Sequence, residues 1–143
     1  MGSTTKCGDK RTVEQGAAAV EFALVVPLLL MLVFGIVDFG YMVNRVSIVN
    51  NAARDAAREG SLAGTQASIT ATATAALDGV PGATVTVTCR KPDGTSCASY
   101  DADATSGGTA VVTINYEHEM ITPVSFIFGD SVNLSRTARM RIE

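Results

Sequence analysis

Residues 17–37 read AAAVEFALVVPLLLMLVFGIV, an apolar stretch of 21 residues with one ionisable side chain, Glu21. At about 1.5 Å of rise per residue, a helix of that length covers about 31 Å, close to the ~30 Å hydrocarbon core of a bilayer. A soluble helix buried on every side would need a large domain around it, and only about 106 residues follow. The stretch is therefore expected to span a membrane. It also absorbs the apolar excess of the composition, 47% hydrophobic against 17% charged, so that excess does not signal a richer soluble core.

The flanks suggest an orientation. Lys6, Lys10 and Arg11 precede the stretch, against Asp9 and Glu14. A Lys/Arg bias on a short tail keeps that tail in the cytoplasm, so the rest of the chain would be translocated. An ordinary cleaved secretory signal fits less well. The uncharged run Phe22 to Val37 is long for one, and Asp38-Phe39-Gly40-Tyr41 is a poor cleavage site. With a net charge of −3 and no extended Lys/Arg cluster, nucleic acid is not an expected partner.

Glu21 has two readings. One turn inside the membrane boundary, its carboxylate can snorkel to the headgroups. Alternatively, a cut after Gly16 in Gln15-Gly16-Ala17-Ala18-Ala19-Val20-Glu21-Phe22 makes Ala17 the new N-terminus. The carboxylate can then pair with an N-terminal amine, its own or a neighbour's. In a low-dielectric setting only good geometry makes such a pair favourable, so it would fix the register between packed helices.

Glycine, four residues, glutamate and an aromatic ahead of an apolar helix is the prepilin-peptidase motif of type IV pilins. The continuation resembles the TadE-like family of minor pseudopilins from tight-adherence (Tad/Flp) pilus systems. The resemblance is carried by Gly16 through Pro27, by Phe34-Gly35-Ile36-Val37-Asp38-Phe39-Gly40, and by Asn51-Ala52-Ala53-Arg54-Asp55-Ala56-Ala57-Arg58-Glu59-Gly60. Thr122-Pro123 and the closing Met140-Arg141-Ile142-Glu143 are a fainter echo. The family's major pilins are far shorter and usually have Glu-Tyr where this chain has Glu21-Phe22, which favours a minor component over a main pilin.

The resemblance implies a processing site at Gly16 and Ala17 and an assembly carboxylate at Glu21, followed by Phe22. It implies a bacterial inner-membrane protein with a cytoplasmic N-terminus and a periplasmic or extracellular domain. Its partners would be a prepilin peptidase, other pilins or pseudopilins, the inner-membrane assembly platform and the lipid bilayer. Its role would be structural, in pilus assembly and adhesion, with no enzyme activity and no cofactor.

Pro27 removes one backbone donor and frees the carbonyl of Ala23, a kink that neighbouring membrane helices tolerate. Such prolines are common in membrane helices, so a structural account stands beside a role in assembly. Beyond the apolar stretch, Phe39, Met42, Val43, Val46, Val49, Ala53 and Ala56/Ala57 recur every three or four residues, one face of a helix. Gly60 and Gly64 are candidate stops. A helix from Ala17 to about Ser61 is roughly 67 Å long, and its upper stripe needs a cover.

The cover is expected from the remaining residues. Thr65 to Leu77 reads as a second helix with Thr65 as N-cap and Gly79 as stop, or else as a linker. After Pro81-Gly82 the period changes to two. Val85, Val87 and Cys89 alternate with threonines; Val112, Ile114 and Tyr116 share a face; so do Val132, Leu134, Ala138, Met140 and Ile142, interrupted by Arg136. The expected class is α+β: a long N-terminal transmembrane helix extending into a small antiparallel-sheet, pilin-like domain. Its parts would be a leader over 1–16, cleaved from the mature chain, a transmembrane helix over 17–37, a helical continuation over 38–63 and an extracytoplasmic domain over 64–143.

Cys7 lies in the expected leader. Cys89 and Cys97 bracket Arg90-Lys91-Pro92-Asp93-Gly94-Thr95-Ser96, a run rich in turn formers. An oxidising compartment would let them form a disulfide, whereas a cytoplasmic domain would leave two free thiols. Thr122 to Asp130 suggests a one-turn helix with Phe126, Ile127 and Phe128 buried, or exposed as a membrane or subunit contact.

Catalytic and metal motifs are not found. His118 is the sole histidine, and no nucleophile elbow, phosphate loop or zinc-binding helix is present. Asp101, Asp103 and Thr105 begin like a calcium loop, but Ser106 stands where glycine is needed and Val112 where the closing glutamate belongs. Glu117 and Glu119, two apart on a strand, read as solvated. The competing function is an uncleaved, anchored binding module that presents its domain to an envelope partner.

Overall fold

The computed structural model describes residues 10–123, 125 and 129–143, with backbone alone for residues 10–15. The expectations for Cys7 and for Phe126, Ile127 and Phe128 fall outside the described residues.

Helix α1 runs unbroken from Lys10 to Ser61, 52 residues with Pro27 inside it, and is about 78 Å long. It starts before the expected Ala17. It ends where Ala63 turns to φ 59° and the Gly64 N–H reaches back to the Glu59 carbonyl at 3.2 Å, a Schellman-type closure. Gly60 is therefore not a stop. A Cβ there would lie 2.8 Å from the Ala110 Cβ and 2.9 Å from the Tyr100 hydroxyl, so its bare backbone lets the helix touch the sheet.

Helix α2 spans Gln66–Ala76, capped by the Thr65 hydroxyl, which accepts from the Ser68 N–H at 3.2 Å. Thr70, Thr72 and Thr74 donate their hydroxyls to carbonyls one turn back, which suits threonine to a helix it otherwise disfavours. Strand β1 (Thr84–Arg90), the one-turn helix α3 (Tyr100–Asp103), and strands β2 (Thr109–Glu119) and β3 (Ser131–Arg141) complete the fold. The sheet is antiparallel in the order β1-β2-β3, with Val87 opposite Val112 and Val112 opposite Ala138. This is the α+β architecture that the period changes indicate.

The upper half of α1 and all of α2 lie on one face of the sheet. Val49, Ala52, Ala53, Ala56 and Ala57 pack there with Ile69, Ala73, Val87, Val112, Ile114 and Leu134. Small residues on α1 let the helix axis approach the strands closely, and β-branched residues fill the pleat. Across the sheet, Thr84, Thr86, Thr88, Asn115, Ser135 and Thr137 are exposed or half-buried.

One expectation is corrected. Phe39 and Val43 do not join the buried stripe; they are 63% and 45% exposed. Met42 and Val46 do pack against the core, and beside them the inward line of α1 takes in Asp38, Tyr41 and Arg45 before it reaches Val49. The spacing of three and four from Val49 backwards selects Arg45, Tyr41 and Asp38, whatever their polarity.

Candidate functional site

The features that bear on function lie along α1. In its lower half the side chains from Gly16 to Val25 are exposed, and so are most of those up to Val37. The helix is long and apolar enough to cross a membrane, and its most apolar window has no part buried inside the fold. Glu21 and Phe22 stand on this free surface, Glu21 one turn above Ala17. The Gly16–Ala17 bond lies within helical backbone. A Cβ on Gly16 would meet nothing within 4 Å, so the fold does not require glycine there, although glycine costs a helix about 0.5–1 kcal/mol relative to alanine.

Where α1 meets the domain, polar groups replace the apolar stripe. Asp38 is 5% exposed; its carboxylate accepts from the Ile121 N–H at 3.1 Å and from the Thr122 hydroxyl. One turn on, Tyr41 lies against His118, ring centroids 5.3 Å apart. Arg45 stacks over Tyr41 at 4.5 Å and donates to the Tyr41 hydroxyl and the Gly79 carbonyl. His118 is 1% exposed, flanked also by Tyr116, and neither ring nitrogen has a hydrogen-bond partner among the described residues. This seam ties the end of β2 and the turn after α2 to the helix. Sequence reasoning missed it, because it gave Asp38 and Arg45 no structural role and took His118 as a histidine standing alone. The period-two pattern of β2, extended by one step past Tyr116, does place His118 inward.

At the other end of the domain Cys89 and Cys97 are joined, with Cα atoms 5.2 Å apart. The Lys91–Thr95 turn is closed by the Lys91 N–H to the Thr95 carbonyl at 2.8 Å, and by Asp93, which takes the Thr95 N–H and hydroxyl. The two acids of the calcium-like spacing go to separate partners. Asp101 accepts the Gln66 N–H at 2.6 Å, while Asp103 accepts the Ala98 and Ser99 N–H groups and pairs with Lys91 at 3.0 Å. Lys91 and those backbone amides hold the Asp103 carboxyl below its ordinary value. Burial, with Asp101 nearby, pushes the Tyr100 phenol up, and its hydroxyl donates to the Gly60 carbonyl at 3.0 Å.

Nothing in this set forms a reaction centre. Among the described residues no three His, Cys, Asp or Glu groups gather as a metal site. A cavity of about 170 Å³ beside Tyr100, Asp101 and Ser106 is smaller than the ~300 Å³ at which ligand pockets usually begin.

The free lower helix, the α1 side of the polar seam and the alanine-lined upper helix fall within one match to a known family. The family model described as TadE-like protein covers residues 16–58. Over these residues the chain is similar to that family. The TadE-like segment thus begins at Gly16, takes in Glu21, and stops just short of the Gly60 contact with the sheet. It points to a component associated with a Tad pilus, and such components are structural proteins. No curated protein and no solved structure matches the chain.

Proposed function

We propose that this protein is a minor pseudopilin-like component of a Tad/Flp-type pilus. It inserts in the inner membrane through residues 17–37 with its N-terminus in the cytoplasm, and a prepilin peptidase cuts it after Gly16. The observation that carries the reading is the TadE-like lower half of α1: apolar, uncovered by the domain, and marked by Gly16 and Glu21, neither of which the fold uses.

Removal of the leader frees an amine on Ala17, and Glu21 stands one helical turn away. In lipid an unpaired carboxylate costs about 2.5–3.5 kcal/mol at mid-bilayer, less near the interface, so pairing with an amine of this or a neighbouring chain favours one register of packed helices. The domain then faces away from the cytoplasm, where Cys89 and Cys97 stay oxidised. Other pilins or pseudopilins and the inner-membrane assembly platform are the partners of the helix.

Mass spectrometry of the membrane-extracted chain tests this. A mature N-terminus at Ala17 is the expected result; an intact leader in cells with an active peptidase supports the uncleaved anchor instead. A Glu21→Ala variant should still insert but fail to co-purify with sheared fibres. Normal assembly of that variant removes the pairing role.

A further inference from the structure

The neck between the apolar half of α1 and the sheet is apolar on more than one side. Asp38 directly follows Val37, and an acid at that place would ordinarily be wet. It is instead 5% exposed, with the Ile121 N–H donating to its carboxylate at 3.1 Å. That bond holds the start of the connection between β2 and β3 at the level of Asp38. What the connection turns outward there is the Ile121 side chain, 64% exposed.

On the helix, Phe39 and Val43 are exposed as well. Between Glu21 and Asn44, α1 has no exposed polar side chain. At about 100° of turn per residue, Phe39 and Val43 stand about 100° and about 140° round the helix from Asp38. Ile121 lies on Asp38's own side. A flat protein partner covers one side of such a neck, whereas a lipid surface meets every side at one height. Residues 38–43 rise about 9 Å, enough to pass the headgroup layer that thickens a ~30 Å hydrocarbon core to about 40–45 Å.

We propose that the base of the domain is a second membrane contact, with Ile121, Phe39 and Val43 resting in the headgroup layer of the leaflet from which the domain projects. The inference rests on the reading of residues 17–37 as a membrane span, but not on removal of the leader. Apolar side chains at this depth gain by leaving water although their segment does not cross the bilayer. Glu117, Glu119 and Asp130 are exposed at the same end of the sheet, so the seat suits zwitterionic headgroups and not a strongly anionic surface. Two of the apolar contacts are on the helix and one is on the connection between strands. Lipid therefore holds the sheet as well as the stem, and the seat sets the height and tilt of the domain.

The chain has no tryptophan, so single substitutions place one fluorescent reporter each. Ile121→Trp and Val43→Trp report on the base. Thr95→Trp is the control, on an exposed turn beyond Arg90, at the opposite end of the sheet from Glu119. The full-length chain, disulfide intact, is reconstituted in phosphatidylcholine vesicles, plain or brominated near the headgroup end of the acyl chains, with iodide on both sides of the membrane. Ile121→Trp and Val43→Trp should lose most of their emission to brominated lipid and resist iodide, and Thr95→Trp should do the reverse. Far-ultraviolet dichroism and the melting temperature check folding; Pro123→Trp, also exposed, replaces Ile121→Trp if that variant fails to fold. A reporter in the connection that is as open to iodide as Thr95→Trp and untouched by brominated lipid overturns the proposal. Shielding from iodide without quenching by lipid, lost as the chain is diluted in lipid, gives the neck to a second copy and overturns it too. Release of the wild-type chain by alkaline carbonate removes the span and the seat together. Retention with a wet reporter at Ile121 removes the seat alone and leaves the pseudopilin reading standing.

Discussion

The two halves of α1 are one continuous helix with opposite surroundings. Below Asp38, large apolar side chains such as Phe22, Leu24 and Leu28 point outward with no protein against them. Above it the inward side chains shrink to alanine, and a sheet covers them. Apart from the donor that Pro27 lacks, helical hydrogen bonding is the same in both halves, so the backbone does not decide which half needs a partner. Side-chain size and the presence of a complementary surface do. An alanine stripe can be covered by the chain's own strands at close range, whereas a sleeve of Leu, Val and Phe has to be covered by lipid or other helices.

That contrast can be broken by substitution. Ile114 is fully buried beneath α1, and Ile114→Ala should cost about 2–5 kcal/mol and lower the domain's melting temperature by more than 10 °C or so. Leu28→Ala, at a position 69% exposed, should leave that melting temperature unchanged. Equal effects from the two would mean that the lower half packs on the domain. Replacing Cys89 and Cys97 by serine opens a loop of about nine residues and should cost about 2–3 kcal/mol, read as a fall in the denaturant midpoint.

A smaller effect sharpens the boundary between the halves. Asp38→Ala removes the acceptor of the Ile121 N–H and should cost about 1–3 kcal/mol. Amide exchange should rise at Ile121 and stay unchanged at Ile69, far from the seam. The smallest effect is at Asp103. Its folded value is depressed, so its contribution is present at neutral pH and is lost as the pH falls from about 4 through that lower value. Exchange at Ala98 and Ser99 should quicken over that range, and Asp103→Asn should abolish the pH dependence.

Much of this contrast was legible in the sequence. The 21-residue apolar run, the switch to period two after Gly82 and the Thr65 cap each follow from a local rule that the structure obeys. The seam was not legible in the same way. Asp38 and Thr122 are 84 positions apart, and a lone aspartate on a helix gives no sign of the donor it will meet. Gly60 was misread for a related reason: glycine near a helix end resembles a terminator, and only the Ala110 and Tyr100 contacts reveal that its missing side chain is a clearance. The processing residues are a third case. Gly16 and Glu21 have no structural partner among the described residues, so their meaning comes from pattern and family likeness and not from packing.

The unbroken course of α1 has a mechanical consequence. From Asp38 to Gly60 the rod is clamped against the sheet over about 33 Å by the polar seam at one end and the glycine clearance at the other. A pull or twist on the greasy stem is therefore carried straight into the domain, with no slack linker to absorb it. Withdrawing the stem from its surroundings lifts and turns the domain as a handle moves a blade.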